Sequence, residues 1–489
     1  MNIFLKGHDY KYAVEQSLFT LFPGCRPEYP EKDEGGDSIT VSLSRGKSRY
    51  TATCRLRLEG KEYSARACAG RRRPPDPVET DRVCRSIVQT SIYRAALASG
   101  IQKPVWGSLS GVRPGKILSQ LKQKYGNEND AVRHFISDYY VSPERAELCR
   151  LTERHTEKAL NSLGEKDICL YVGIPFCPTR CAYCSFVSQS VEKSMKLIPP
   201  FLQALEKDIR ATAEAVAALG LKVVSVYMGG GTPTTLSAQQ LDGLCSLLSE
   251  CFDLSGLREY TVEAGRPDTI TADKLKVLRR HGVDRISVNP QTMSDTVLET
   301  IGRKHSAADI VKALELVRAE GGFAVNMDLI AGLPSDTPEG FRNTLEKVLA
   351  LDPENITVHT LSLKKGSAIT LKGTRVPTAA EVAEMLDDAC RMLSQAGYGP
   401  YYLYRQKYMS GGFENTGWTK EGFSNLYNIC IMEELCSIIS TGGGASTKLI
   451  APGNARNIRL TEPKYPLEYI ELIEKTVSDK QKIIDFYNG

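Results

Sequence analysis

Cys177, Cys181 and Cys184 fall together in the stretch Pro175-Phe-Cys-Pro-Thr-Arg-Cys-Ala-Tyr183-Cys-Ser-Phe186. Closely spaced thiolates are the ligands of iron–sulfur clusters, which normally take four. Three in one loop can hold three irons of a 4Fe–4S cubane and leave the fourth iron open. An open metal position is where a substrate or cosubstrate binds. Zinc sites come instead as two cysteine pairs or with histidine close by. Here no histidine lies between His155 and His281, and no second cysteine pair stands near.

A scaffold for such a loop is legible around it. From residue 167 short apolar runs alternate with amphipathic stretches. Strands are expected over 168–174, 223–227, 259–262, 285–288, 323–330 and 356–363, with helices between them, one opened by a capping box at Ser237 and Gln240. Repeated β–α order implies a parallel sheet with helices outside. About six such units predict an α/β fold, a partial (β/α)6 barrel short of the closed eight-unit form.

Ligands of parallel sheets sit off the carboxyl ends of the strands, and the chemically suggestive residues fall there. The cysteine loop follows the first strand and Gly229-Gly230-Gly231-Thr232-Pro233 the second. Glu263 ends the third, Asn289-Pro290-Gln291 the fourth, Asp328 the fifth and His359 to Lys364 the sixth. Glycines without a Cβ let backbone N–H groups approach a ligand, although a tight turn uses them equally. Glu263 and Asp328 can accept hydrogen bonds from hydroxyls or an ammonium; helix caps use carboxylates too. Arg303 can pair with a carboxylate bidentately, unless it is a solvated helix end.

Four segments are expected: a small α+β region over 1–75, a helical region over 76–165, the barrel over 166–365 and a C-terminal domain over 366–489. Alternating Ile39, Val41 and Leu43 read as a strand, and 78–99 as a helix closed by Gly100. The loop 109–116 enters a helix, where Arg113 and Lys116 could meet an anion or simply form a surface turn. The C-terminal domain shows a helix over 379–393, an aromatic loop over 398–404 and a glycine run at 441–445. Arg71-Arg72-Arg73 reads as a solvated linker.

The 489 residues exceed one ordinary core, and 42% apolar with 25% charged residues is the composition of a soluble globular protein. Eleven of the fourteen cysteines are scattered singly, which fits reduced thiols in a cytoplasm rather than a secreted disulfide scaffold. The N-terminus has no signal-peptide pattern, and no apolar run approaches the roughly 20 residues that span a membrane. With 62 basic against 58 acidic residues, charge gives no argument for nucleic acid.

These motifs together resemble the radical S-adenosylmethionine (SAM) superfamily. Tyr171-Val-Gly-Ile-Pro-Phe-Cys177 through Cys184, Gly-Gly-Gly-Thr-Pro-Thr, and Asn326-Met-Asp328-Leu-Ile-Ala-Gly332-Leu-Pro334 look like its oxygen-independent coproporphyrinogen III oxidase branch. Ser110-Gly-Val-Arg113-Pro and Tyr401-Tyr-Leu-Tyr404-Arg405-Gln-Lys look like the longer form, coproporphyrinogen dehydrogenase of the HemZ type. The resemblance implies a 4Fe–4S cluster on Cys177, Cys181 and Cys184, with SAM chelating the open iron. It implies SAM contacts, to one molecule or two, from Gly230, Gly231, Thr232, Glu263, Gln291, Arg303 and Asp328, with Tyr171 and Tyr183 lining the cofactors. A 5′-deoxyadenosyl radical would take hydrogen from porphyrinogen propionates, which leave as CO2 to give vinyl groups and protoporphyrinogen IX. Lys304, Lys364, Lys365, Arg405 and Lys407 are candidate partners for the substrate's carboxylates. An electron donor such as flavodoxin or ferredoxin is implied, and a monomer without nucleic acid or membrane span. Two alternatives stay open: a haem-binding chaperone of the same family, and a related methyltransferase. The oxidases carry a further cysteine where this chain has Phe186. The chaperones carry a C-terminal His motif, whereas Leu426-Tyr-Asn428-Ile-Cys430 has no histidine and none follows His359.

Overall fold

The computed structural model describes residues 1–22, 24–32, 35–71, 76–179, 181, 183–184, 189–190, 194–362, 375–406, 412–451 and 456–489. Arg72 and Arg73 of the basic run, Phe186, Lys364, Lys365 and Lys407 lie outside them. Two units divide the chain: Met1–Arg150 with Tyr404–Glu414, and Leu151–Leu403 with Asn415–Gly489.

In the first unit, strands β1 (Asn2–Lys6), β2 (Ser38–Arg45), β3 (Arg49–Leu58) and β4 (Lys61–Gly70) form one sheet in that order. Alternation decides which face is buried. Ile39, Val41 and Leu43 lie opposite Leu56, Cys54 and Ala52 across β2 and β3, and all six are buried. The helices Lys11–Leu21 and Pro77–Ala98 supply the other half of this core through Val14, Leu18, Val88 and Ile92. Pro77 opens the longer helix at a position where its missing N–H costs nothing, and the Asp76 side chain caps it by accepting from Val78 N–H. The segment Tyr404–Glu414 is fixed by a buried polar cluster. Glu414 accepts from Trp106 Nε1 at 2.7 Å and pairs with Arg145 Nε at 2.7 Å.

The second unit holds β5 (Asp167–Ile174), the short pair β6 (Phe176–Cys177) and β7 (Gln189–Ser190), then β8 (Lys222–Gly230), β9 (Glu259–Glu263), β10 (Arg285–Ser287), β11 (Ala324–Ala331) and β12 (Asn355–Thr360). Apart from the β6–β7 pair these strands lie side by side in chain order, each parallel to the next. Helices between them, among them Ile198–Ala218, Ala238–Cys251, Ala307–Glu320 and Pro338–Ala350, carry the chain back. Parallel strands covered on both faces read as unbroken apolar runs. Accordingly Ile168, Cys169, Leu170, Val172 and Ile174 of β5 are all buried. The capping box expected at Ser237 and Gln240 is formed.

The C-terminal region joins this sheet. Most of the aromatic loop expected over 398–404 is instead strand β13 (Gly399–Arg405), which ends the sheet next to β14 (Glu414–Thr419). β14 runs antiparallel to β12. The run Gly-Pro-Tyr-Tyr-Leu-Tyr-Arg is strand-prone, and an edge position tolerates its proline. At the other side β15 (Ile438–Gly442) lies parallel to β5, followed by β16 (Ser446–Ile450) and β17 (Asn457–Thr461). The glycine run is thus the turn from β15 to β16. Among the described residues the sheet has eleven strands and runs open from β13 to β17.

Candidate active site

The segments that follow β8, β9 and β10 meet the cysteine loop that follows β5. Two backbone hydrogen bonds join that loop to the glycine segment after β8: Gly231 N–H to Ile174 O at 2.9 Å and Thr232 N–H to Phe176 O at 2.7 Å. This approach requires glycine. A Cβ on Gly231 would stand 2.4 Å from Phe176 O and 2.7 Å from Ile174 O. Gly230 takes φ +100°, a backbone that residues with a Cβ rarely adopt. Thr232 Oγ1 lies 3.5 Å from Cys177 Sγ. Cys177, Cys181 and Cys184 are all partly exposed and in no disulfide, whereas Cys54, Cys84, Cys149, Cys169, Cys245, Cys430 and Cys436 are buried.

Two carboxylates face each other nearby. Tyr227 Oη donates to Glu263 Oε1 at 2.6 Å, and Asn326 Nδ2 donates to Asp328 Oδ1 at 2.8 Å. Burial pushes the Glu263 carboxyl up to about 7, and the charge of Asp328 adds to the rise. Glu263 ends β9 and Asp328 lies within β11, so neither serves as a helix cap. His359 Nε2 lies 3.9 Å from Asp328 Oδ1. Gln291 holds the left-handed conformation at φ 66° and is tied to β11 by Gln291 N–H to Asp328 O and Ile330 N–H to Gln291 O. A bulky residue keeps that backbone only where its surroundings impose it.

Arg303 is buried, so it is no solvated helix end. Its guanidinium donates to Gly265 O at 3.2 Å, Asn289 O at 3.1 Å and Tyr183 Oη at 3.0 Å, tying two strand ends to the cysteine loop. Tyr171, Tyr227 and Tyr427 stack, with ring centroids 4.3 Å apart for the last two and 6.2 and 6.0 Å from Tyr171. Desolvation raises all three phenols, which therefore stay neutral.

The structure thus brings Tyr171, Tyr183, Gly230, Gly231, Thr232, Glu263, Gln291, Arg303 and Asp328 to one end of one sheet with the three cysteines. Arg405 has another employment. Its buried guanidinium donates to Leu109 O at 2.7 Å and Gly412 O at 2.8 Å and packs over Trp106, so it organises the first unit. Lys304 is exposed.

Three residues of the site escaped the sequence reading. Arg266, buried, donates from Nη1 to Cys181 Sγ at 3.4 Å and from Nη2 to Thr179 Oγ1 at 2.8 Å. It stands three positions past Glu263, so extending the search along the loops after each strand finds it. His305 is buried with neither ring nitrogen hydrogen-bonded, and desolvation, with Arg303 and Arg266 adding to it, lowers it to about 4, leaving it neutral. Tyr427 comes from a helix far along the chain and gave no local signal.

A loop of three accessible thiolates, a glycine edge and paired carboxylates at the mouth of a parallel sheet define the class of radical SAM proteins. A sequence model of the radical SAM superfamily matches residues 171–348. The chain is 38% identical to the oxygen-independent coproporphyrinogen-III oxidase-like protein HemZ of Bacillus subtilis (strain 168), over 99% of this chain and 98% of that protein. It therefore belongs to the HemZ-like family of oxygen-independent coproporphyrinogen-III oxidase-like radical SAM proteins. The heme chaperone HemW of the same organism is 31% identical over 52% of this chain and 67% of its own. A solved structure, coproporphyrinogen III oxidase (HemN) from Escherichia coli, shares the fold with TM-score 0.53 at 24% identity, covering 65% of this chain and 72% of that one. Membership implies a 4Fe–4S cluster and SAM. Among the described residues no helix is long and apolar enough to cross a membrane.

Proposed function

We propose that this protein decarboxylates the propionates of coproporphyrinogen III to vinyl groups without oxygen, giving protoporphyrinogen IX. One observation carries the reading: the cysteine loop and the glycine segment are stitched edge to edge beside the acidic residues Glu263 and Asp328. The residues fit the groups the family uses. Cys177, Cys181 and Cys184 hold the cluster, with Thr232 and Arg266 directed at two of their sulfurs. Gly230, Gly231 and Thr232 take the methionine end of SAM through backbone groups. Glu263, Asp328 and Gln291 accept its ammonium and hydroxyl protons, while Arg303 fixes Tyr183 over the cluster loop. Bound there, the cluster and SAM supply the one-electron chemistry that removes a hydrogen atom from substrate carbon. One SAM molecule suffices for this assignment.

Each propionate then loses one β-hydrogen atom, CO2 and one further electron, which passes to an external one-electron acceptor. A flavodoxin or ferredoxin supplies reducing electrons, and the protein works as a monomer in a reducing cytoplasm, in keeping with fourteen cysteines none of which is in a disulfide. The likeness to HemW favours one second reading, a haem-binding chaperone. The test separates them. Anaerobically reconstituted protein with SAM, a reductant and coproporphyrinogen III should form protoporphyrinogen IX, CO2 and 5′-deoxyadenosine, and Cys177→Ala, Cys181→Ala or Cys184→Ala should abolish all three. Stoichiometric haem binding without turnover would replace the oxidase by the chaperone.

A further inference from the structure

A second group of sulfurs lies away from the loop that carries Cys177, Cys181 and Cys184. Cys169, Cys430 and Cys436 bring their Sγ atoms within 4.8 Å of one another, and Cys169 Sγ stands 3.7 Å from Cys436 Sγ. All three are buried, at 0%, 0% and 7% exposure, and they pack among Tyr427, Ile438, Leu163, Leu426 and Leu435. They come from three elements: β5, the helix Leu426–Glu433, and the turn before β15.

Backbone contacts, not the thiols, set these positions. Cys169 N–H donates to Ser437 O at 3.1 Å, aligning β5 with the start of β15. Leu435 N–H donates to Cys430 O at 3.3 Å, and Glu434 takes φ 57°, so the chain reverses and returns Cys436 to Cys430. An ion pair from Lys448 to Glu434 anchors that turn. The three thiols therefore converge on one point that the fold has already fixed.

The spacing identifies what they can hold. A disulfide needs sulfurs at about 2.05 Å, which 3.7 Å excludes as the present state. Cysteines of a cubane each bind a different iron, so their sulfurs stand farther apart than ligands sharing one ion. Metal–sulfur bonds of about 2.3 Å place two sulfurs roughly 3.8 Å apart on a tetrahedral ion and roughly 4.0 Å apart on a trigonal one. The 3.7 Å between Cys169 and Cys436 fits one shared ion, and the remaining sulfur pairs lie within 4.8 Å. Thiolate sulfur selects soft cations, Cu(I) and Zn(II) above all. Three sulfurs complete a trigonal Cu(I) site, whereas Zn(II) takes a fourth donor.

We propose that Cys169, Cys430 and Cys436 form a structural site for one thiophilic d10 cation, Cu(I) or Zn(II). Binding releases the thiol protons and forms metal–sulfur bonds without any change of oxidation state. The site staples the helix Leu426–Glu433 and the start of β15 to β5, the strand that leads into the cluster loop. Cys169 lies five residues before Ile174, roughly 16 Å along the strand, so the two sulfur sites sit toward opposite ends of β5.

The test uses the full chain carrying Cys177→Ala, Cys181→Ala and Cys184→Ala, which removes the cluster ligands. Under anaerobic conditions it is titrated with Cu(I) or Zn(II) against a competing chelator. Expected are one bound equivalent, a thiolate-to-metal absorption band, and X-ray absorption showing about three sulfurs near 2.3 Å. Adding Cys436→Ser should abolish stoichiometric binding. In the protein without that last change, bound metal should protect Cys169, Cys430 and Cys436 from alkylation at least tenfold, read peptide by peptide. This second measurement needs no core variant to fold. Failure to bind either ion, binding that survives Cys436→Ser, or protection of other cysteines instead would overturn the site and leave three packed thiols.

Discussion

Arg266 Nη1 lies 3.4 Å from Cys181 Sγ, and the same guanidinium grips Thr179 Oγ1 at 2.8 Å. A buried cation thus touches a thiolate proposed as a cluster ligand. Hydrogen bonds and positive charge at a ligating sulfur stabilise the reduced cluster. Replacing Arg266 with Gln should lower the midpoint potential by tens of millivolts while the cluster still assembles. Potentiometric titration followed by electron paramagnetic resonance reads this directly. An unchanged potential would mean that Arg266 only supports the loop.

Glu263 offers a pH signature. Desolvation raises its carboxyl from 4.5 to about 7 in the folded protein. Between those values the folded state holds a proton that the unfolded chain has released, so stability falls as pH rises from about 4.5 to 7 and levels off above. Glu263→Gln should flatten that part of a Tm-against-pH profile measured without SAM. If Glu263 accepts SAM's protons, affinity for SAM in the parent protein should also rise through the same interval, because only the ionised form is a full acceptor. Calorimetry at several pH values checks the second expectation independently of the first.

Gly231 and Gly243 make a controlled pair. A Cβ at Gly231 meets two carbonyl oxygens, while one at Gly243, inside the helix Ala238–Cys251, meets nothing within 4 Å. Gly231→Ala should cost about 1–3 kcal/mol and weaken SAM binding, because the strand-to-loop hydrogen bonds must part. Gly243→Ala should stabilise by about 0.4–1 kcal/mol. Denaturant midpoints with unchanged slopes would measure both.

The buried trio of Trp106, Arg145 and Glu414 holds the first unit's stray segment. Glu414→Leu strands the Arg145 guanidinium without its counter-charge, at about 3–5 kcal/mol. Amide hydrogen exchange should quicken in the segment 404–406 and 412–414 and around Arg145. Protection of β8 and β9 should be retained.

Much of the second unit was legible because its signals are local. Apolar runs such as Ile168–Ile174 bury themselves whatever their neighbours, and the Ser237–Gln240 cap is complete within four positions. Placing chemistry at strand ends then gathered Gly231, Glu263, Gln291 and Asp328 in one place. The aromatic stretch before Arg405 failed because Tyr and Leu fit an edge strand and a loop equally until β14 supplies a partner. Cys169 and Cys436 meet across 267 positions, and no spacing rule reaches that far. Arg266 was hidden by rank alone: an arginine in a loop carries no periodic mark, and only its burial against Cys181 distinguishes it.

The strand leading into the cysteine loop is flanked by β8 on one side and by β15 on the other. β15 begins at Ile438, 264 positions after Ile174, so during synthesis β5 remains an unpaired edge until long after the cysteine loop has been made. Chain order therefore makes the closing of that edge a late event: the strand that presents the cysteine loop is flanked on both sides only once β15 has been made.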